Sequence, residues 1–421
     1  MDYRESLAYL YGLQRFGIKL GLDNIRQILH RLQHPEEHYP IVHVAGSNGK
    51  GSVCIGLAAI LHQAGRRVGL YSSPHLHSFT ERIQIDGQPI SEEEAVALIK
   101  TVKGVCDGIP VTFFEFATAM ALLYFQRRRV EVAILEVGMG GRLDATNAVT
   151  PRVAVITPVC RDHAEHLGPD LAAIAAEKAG IVKPQVPLVL GPQQPEAQQV
   201  LTARAATLRA PVYRYGHEFF AQGTDQGFDY HGLEWSLQGL RPGLLGAHQH
   251  HNLSVALAVA ELLRQQGLDL PETALREGVA VVRWPGRLEW WRDGKTVLLD
   301  GAHNEGGAAV LASYLQALAP AGIRWVVGAK GSKDMAQILR PLLPLVDSLY
   351  CTEPPVQEAV SADRIARLAA DAGVAAQCFA SPAAALAAAL ADRQPDEIVL
   401  VAGSLFLVAA AREYLMTQEE I

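Results

Sequence analysis

The sequence predicts a two-domain α/β protein: an N-terminal, mostly parallel sheet with a small antiparallel extension, then a smaller Rossmann-like α/β domain. Three observations carry that prediction. An apolar run from Ile41 to Ala45 breaks into the turn Gly46-Ser47-Asn48-Gly49-Lys50-Gly51-Ser52 and resumes with helical period from Val53 to Ala64. Short apolar runs then recur between helical segments, as expected of parallel strands covered on both faces. The stretch from Val281 to Arg287, with Trp284-Pro285-Gly286 inside it, interrupts the alternation and reads as a linker, dividing the chain into domains 1–284 and 285–421.

Taken in order, residues 1–40 read as helical, with a glycine-bearing turn from Phe16 to Leu22. Strands are expected at 67–71, 130–136, 153–157 and 188–190. Ser91 with Glu94 reads as a capping box opening a helix through Lys100. In 211–240, Tyr213, Tyr215, Phe219, Phe220, Phe228, Tyr230 and Trp235 sit among turn residues, which suggests antiparallel strands appended to the first sheet. A helix follows from Asn252 to Gln265. Beyond the linker, strands at 296–299, 325–327, 348–352 and 398–401 alternate with helices, two of them the alanine-biased 362–372 and 383–391.

The 421 residues, 49% apolar and 19% charged, suit a soluble globular chain with large cores. A net charge of −7 argues against a broad nucleic-acid surface, and Arg127-Arg128-Arg129 reads as a solvated helix end. Cys54, Cys106, Cys160, Cys351 and Cys378 are scattered without C-x-x-C spacing, so reduced thiols are expected. The N-terminal residues carry no apolar signal core. The run from Ile398 to Ala411 is too short for a membrane span and holds Gly403 and Ser404. A cytoplasmic monomer is expected, with no nucleic-acid or membrane partner.

The chemistry starts at the first glycine turn. Glycines admit backbone N–H groups close to an anion, a helix N-terminus adds positive potential, Lys50 adds a full charge, and Ser52 offers a hydroxyl to Mg²⁺. The pattern is not G-x-x-x-x-G-K-[ST], because Gly51 separates Lys50 from Ser52. The plain alternative, a tight strand-to-helix turn, would not need the lysine. Glu136 ends an apolar strand before another glycine loop, at the sheet edge where ligands bind and where a carboxylate suits Mg²⁺; the alternative is an exposed strand-end acid. Asp162, His163, Glu165 and His166 follow the next strand and suit either metal binding or proton transfer, with zinc competing by composition. Lys178 lies on a helix, where a lysine is ordinarily solvated. His248, His250 and His251 hint at metal by spacing, although a polar turn capping the Asn252 helix accounts for them. Asp300-Gly301-Ala302-His303-Asn304 repeats the strand-end, glycine-turn logic in the second domain.

Together, Gly46–Ser52, Ser73-Pro74-His75-Leu76, Phe113-Phe114-Glu115, Glu136–Asn147, Asp162-His163, Glu177–Gly180, Arg287 and Asp300–Asn304 resemble, in one order, the folylpolyglutamate synthases and bifunctional dihydrofolate synthases of the Mur ligase superfamily. The resemblance runs from about Phe16 to Arg412, and Glu136–Asn147 and Asp300–Asn304 are its most specific motifs. It implies a P-loop ATPase-type first domain and an ATP-dependent ligase joining L-glutamate to dihydropteroate, to tetrahydrofolates, or to both. On that resemblance Gly46, Ser47, Asn48, Gly49, Lys50, Gly51 and Ser52 hold the ATP phosphates, and Asn252, Arg287, Asp300 and His303 clasp the nucleotide. Ser52, Ser73, Glu136 and His163 surround magnesium, with two Mg²⁺ sites expected. Lys178 matches a lysine that becomes a CO₂-derived carbamate and ligates the second ion, so Lys50, His163 and Lys178 form the catalytic set. Ser73, Arg82, Thr112, Phe114, Asp144 and Ala145 match the folate site, and Lys333 and Ser404 correspond more loosely to the glutamate site. The chain departs from the family pattern at Ser47, at the extra lysine of Lys330–Lys333, and at Glu305. The rival readings are a cell-wall Mur ligase, a non-catalytic nucleotide-binding regulator, and a zinc hydrolase built on the histidine clusters. Against the first, only 45 residues precede the loop, too few for a UDP-sugar domain.

Overall fold

Five consecutive buried residues, Ile41–Ala45, form β1, and the first unit of the chain is built outward from it. The structure, a computed structural model, describes residues 2–16, 21–162, 164–224, 226–331 and 334–418. Residues 17–20 of the expected Phe16–Leu22 turn, His163 and Lys333 lie outside the described residues. The chain divides into two units, Met1–Gly243 with Gln249–Arg283, and Leu244–His248 with Trp284–Ile421.

In the first unit β2 (Val68–Tyr71), β3 (Ile83–Ile85), β4 (Gln88–Pro89), β5 (Val132–Glu136), β6 (Val153–Ile156), β7 (Leu188–Leu190) and β8 (Val212–Arg214) join β1 in one sheet, ordered β4-β3-β2-β5-β1-β6-β7-β8. The strands from β2 to β8 in that order are parallel, while β3 and β4 run antiparallel at the edge. Because β1 is flanked by β5 and β6, the chain reverses its direction of growth there, and the strand ends Ala45, Glu136 and Ile156 share one edge. That is a topological switch point, where doubly wound sheets bind ligands.

One sheet face is covered by Tyr3–Gly12, Asp23–Arg31, Glu92–Val105 and Phe113–Arg127, which enclose Leu10, Ile28, Ile99, Met120 and Phe125. Ser91 caps the third of these, accepting from the Glu94 N–H at 3.2 Å, and the helix runs past Lys100 to Val105. Helix Lys50–Gln63 meets two neighbours through glycines. A Cβ on Gly278 would lie 2.4 Å from Ile60 Cα, and one on Gly56 would lie 2.8 Å from Leu253 Cδ2.

The antiparallel strands expected within 211–240 are present, but they do not extend the first sheet. β9 (Phe220–Thr224), β10 (Gly227–His231) and β11 (Ser236–Leu240) make a separate three-stranded sheet, and β8 joins the large sheet in parallel. Buried Phe228 and Tyr230 turn this small sheet toward helix His248–Gln265, where Glu261 accepts from the Tyr230 hydroxyl at 2.7 Å. That helix begins four residues before Asn252, so His250 and His251 occupy its first turn rather than a capping turn. Their rings pack on Phe228 and Tyr215 at 4.9 and 4.8 Å, and burial lowers both imidazole pKa values.

The second unit holds β12 (Glu289–Trp290), β13 (Val297–Asp300), β14 (Ile323–Val327), β15 (Ser348–Cys351), β16 (Ala375–Cys378) and β17 (Ile398–Ala402), ordered β12-β13-β17-β14-β15-β16. All pairings are parallel except that of β12. The alanine-biased segments are the helices Ala362–Asp371 and Pro382–Asp392. Trp325 is fully buried and donates its indole N–H to the Ala402 carbonyl at 3.1 Å, which ties β14 to the end of β17. Among the described residues no helix is long and apolar enough to cross a membrane.

Candidate active site

The turn after β1 needs its glycines. Gly46 has φ +145° and a Cβ there would sit 1.8 Å from Thr157 Oγ1; Gly49 has φ +89° and would meet Asn252 Oδ1 at 2.4 Å. The loop is also tied to the end of β6. The N–H groups of Ser47 and Asn48 donate to the Pro158 carbonyl at 3.0 and 3.3 Å, and the Ser47 hydroxyl donates to the Cys160 carbonyl at 3.0 Å. Helix Lys50–Gln63 starts directly after Gly49, with Gly51 in its first turn and Ser52 buried one residue later. Asn252 is held by its own amide, which donates to Gln249 Oε1 at 2.9 Å.

Two lysines meet at this loop. Lys50 Nζ folds back onto the carbonyls of Gly46 and Ser47, at 3.1 and 3.2 Å. Lys178 Nζ, from the last turn of Leu171–Lys178, donates to the same Gly46 oxygen at 2.9 Å. Lys178 is 4% exposed, against the solvated default for a helical lysine. Burial, with the Lys50 charge beside it, brings its amine down to about 7, while Asp162 and Cys160 pull the other way.

Glu136 is 5% exposed at the end of β5 and accepts the Ser73 N–H at 3.2 Å. The loop after it docks on the segment that carries Lys178. Arg142 N–H donates to the Glu177 carbonyl at 2.8 Å, its guanidinium pairs with Glu177 at 2.8 Å, and the Asn147 amide spans Arg142 and Gly180 carbonyls at 2.9 and 3.1 Å. Gly180 is required there, since its Cβ would lie 2.3 Å from Arg142 Cβ. Ser52 and Glu136 thus supply buried hard oxygens, the donor set Mg²⁺ prefers.

The residues matched to folate divide by role. Arg82 is buried, lies over the Phe113 ring at 5.2 Å, and donates Nε–H to His75 Nδ1 at 2.7 Å. Burial and the Arg82 charge push His75 down to about 4, so it is a neutral acceptor. Phe114 packs on Tyr71 with ring centroids 5.9 Å apart and lies across Gly138, whose Cβ would be 2.5 Å from Phe114 Cζ. Thr112 caps helix Phe113–Arg127 in a reciprocal box with buried Glu115. Asp144 is turned inward, accepting from Met139 N–H at 2.9 Å and Thr146 N–H at 3.0 Å, next to buried Ala145. Glu81, which none of the motifs above includes, accepts from the N–H groups of Leu76, His77 and Ser78 and so shapes the 72–82 loop. Burial raises the Glu81 pKa, and these backbone bonds outweigh it to leave the value lowered. The Ser78-x-x-Glu81 capping spacing was the signal available for it.

In the second unit Asp300 ends β13 and accepts from Leu288 N–H at 2.9 Å and Ala302 N–H at 2.8 Å. Burial raises its carboxyl pKa, opposed by the Arg287 charge. Arg287 reaches over Gly301, whose Cβ would stand 2.3 Å from Nη1. His303 Nδ1 lies 2.8 Å from the Gly301 carbonyl. Ser404 is 4% exposed and its hydroxyl caps Leu405–Thr417, accepting from Phe406 N–H at 3.2 Å. Among the described residues, His248, His250 and His251 join no group close enough to share a metal. Among the described residues, the His/Cys/Asp/Glu atoms close enough to share a metal are those of His34, Glu36 and Glu37.

Comparison with known proteins finds matches to both parts of the chain. The Mur ligase middle domain matches residues 44–260, and the Mur ligase glutamate ligase domain matches residues 286–405. Folylpolyglutamate synthase of Lacticaseibacillus casei is 34% identical over 99% of this chain and 99% of its own length. Dihydrofolate synthase/folylpolyglutamate synthase of Escherichia coli K12 is 35% identical over 97% of this chain and 94% of its own. A solved E. coli FolC structure, in complex with DHPP and ADP, superposes with a TM-score of 0.92 at 34% identity, covering 100% of this chain and 99% of that one. Matched in both units and aligned with these relatives end to end, the chain belongs to the Mur ligase family, in its folylpolyglutamate synthase/dihydrofolate synthase branch.

Proposed function

We propose that this ATP-dependent ligase joins L-glutamate to a pteroate or folate carboxylate by way of an acyl phosphate. A carboxylate is a poor electrophile at neutral pH. One carboxylate oxygen attacks the γ-phosphorus and ADP leaves; the glutamate amine then attacks the acyl carbon, phosphate departs, and the nitrogen gives up a proton. Lys50 releases the Gly46 and Ser47 carbonyls to neutralise charge developing on the γ-phosphoryl oxygens. The observation carrying this reading is the meeting of Lys50 and Lys178 on one loop carbonyl at the sheet edge that also bears Glu136.

Ser52, Ser73 and Glu136 would hold Mg²⁺, together with His163. Bound there, the ion would screen the phosphate charges. Lys178 fits a carbamate because its amine is buried and has a neutral form near pH 7. The ammonium first gives up one proton; the neutral nitrogen then attacks the carbon of CO₂ and loses a second, so that an anion suited to a second Mg²⁺ replaces a cation. Arg287, Asp300 and His303 contribute to the nucleotide from the second unit, and Lys333 and Ser404 to glutamate. Phe114, Arg82, Thr112, Asp144 and Ala145 shape the folate site. The test is ATP-dependent incorporation of labelled glutamate with dihydropteroate and tetrahydrofolate side by side. Incorporation with either supports the reading and assigns the acceptor; ATP hydrolysis independent of folate and glutamate overturns it.

A further inference from the structure

His43 stands in the middle of β1, fully buried between Val42 and Val44. The pleat places it on the same face as Ile41 and Ala45, where every other β1 residue is apolar. Its Nε2 lies 2.8 Å from Thr146 Oγ1. The Thr146 hydroxyl donates its one hydrogen to Asp144 Oδ1, so it accepts from His43, which fixes the Nε2–H tautomer. Among the described residues, Nδ1 is left as a buried acceptor with no hydrogen-bond partner. An aliphatic side chain would pack here without stranding a nitrogen. Local conflicts of this kind mark positions kept for function.

The bond has a definite destination. From His43 it passes to Thr146 and on to Asp144, whose other oxygen holds the Met139 N–H. The loop so gripped includes Gly138, which lies against Phe114, and Asn147, which is anchored beside Lys178 on the Gly180 carbonyl. The strand that carries His43 runs directly into the phosphate loop at Gly46.

We propose that His43 is a positioning residue: through Thr146 and Asp144 it fixes the loop Val137–Asn147 relative to the phosphate loop, and so sets where the folate carboxylate meets the γ-phosphate. The inference rests on the ligase reading above. It assigns the imidazole no contact with substrate. Misplacing reacting groups by a fraction of an ångström slows transfer without weakening nucleotide binding.

His43→Leu removes the donor, Thr146→Val removes the link while keeping its shape, and His43→Gln retains an N–H donor. His43→Leu and Thr146→Val should each lower kcat for glutamate addition about tenfold or more, with ADP affinity changed less than about twofold. His43→Gln should recover to within about threefold of the parent, and the double variant should be no slower than the worse single variant. A kcat within about twofold of the parent in Thr146→Val, or ADP affinity falling in step with kcat, overturns the proposal. If His43→Leu does not fold, Thr146→Val and His43→Gln decide. A parent enzyme with no folate-dependent turnover would overturn the ligase reading itself, an outcome separate from any difference between variants and parent.

Discussion

Lys50 and Lys178 donate to one acceptor, the carbonyl oxygen of Gly46, at 3.1 and 2.9 Å. Two ammonium groups on one oxygen repel, and the buried member yields: burial first and Lys50 second bring Lys178 down to about 7. Lys50 thereby adds to the lowering that burial imposes on a residue 128 positions further along the chain.

Lys50→Ala removes the loop's full charge but leaves its glycines and its ties to Pro158 and Cys160. Glutamate incorporation should fall by about a hundredfold or more, because charge on the transferring phosphoryl group loses its partner. The melting temperature should stay within a few degrees of the parent's. Turnover near the parent level in a folded variant would refute the loop's catalytic role.

Lys178→Ala should likewise abolish turnover, and added short carboxylates such as acetate should restore part of it if the parent residue acts as a carbamate. Titrating bicarbonate into CO₂-depleted parent enzyme should raise its activity, while the variant should not respond. An alanine variant as active as the parent would exclude the carbamate.

The depressed Lys178 pKa also has a stability consequence. In the unfolded chain the amine keeps a lysine's usual 10.5, so between about pH 7 and 10.5 the unfolded state binds more protons. Stability from this group is therefore fully present above the unfolded value and is lost as pH falls through about 7. Lys178→Met should be more stable than the parent at pH 6, by on the order of 5 kcal/mol at most, and the difference should shrink toward pH 10. Urea unfolding in CO₂-depleted buffer at both pH values measures it; equal differences would show that Lys178 does not carry the shift.

The strand–turn–helix around Gly46–Ser52 was legible because its signal is local: five apolar residues, a glycine turn and a helix in unbroken succession. The parallel strands β5, β6 and β7 were legible for the same reason. β4 and β12, each two residues long, and the largely exposed β16 were not, since none of the three presents an apolar period. Lys178 illustrates the harder limit. Its helix shows nothing that separates a buried amine from a solvated one, because Gly46, which receives it, lies 132 residues away. Only the family resemblance singled it out. His43 and Glu261 escaped notice for that reason too, their partners being 103 and 26 to 31 residues distant.

Glu261 predicts a case in which stability and catalysis separate. It accepts from the Tyr230 hydroxyl and from the backbone N–H groups of Leu233, Glu234 and Trp235, closing the β10–β11 hairpin onto the helix. Glu261→Ala strands those donors and should cost about 2–3 kcal/mol in urea unfolding. Below its lowered melting temperature, kcat should match the parent's. A kcat loss with unchanged stability would place Glu261 in the active site instead.

Gly49→Ala tests the loop geometry directly. At φ +89° an L-residue is strained by ~1–2 kcal/mol, and the new Cβ would stand 2.4 Å from Asn252 Oδ1. Asn252 cannot swing aside freely, since its amide is bonded to Gln249 and the residue is buried. The loop must therefore shift, which moves the N-terminal turn of Lys50–Gln63 away from the phosphates. ADP affinity should fall about tenfold or more in a folded variant, as read by calorimetric titration. Parental ADP affinity in Gly49→Ala would mean that the nucleotide does not bind against this turn.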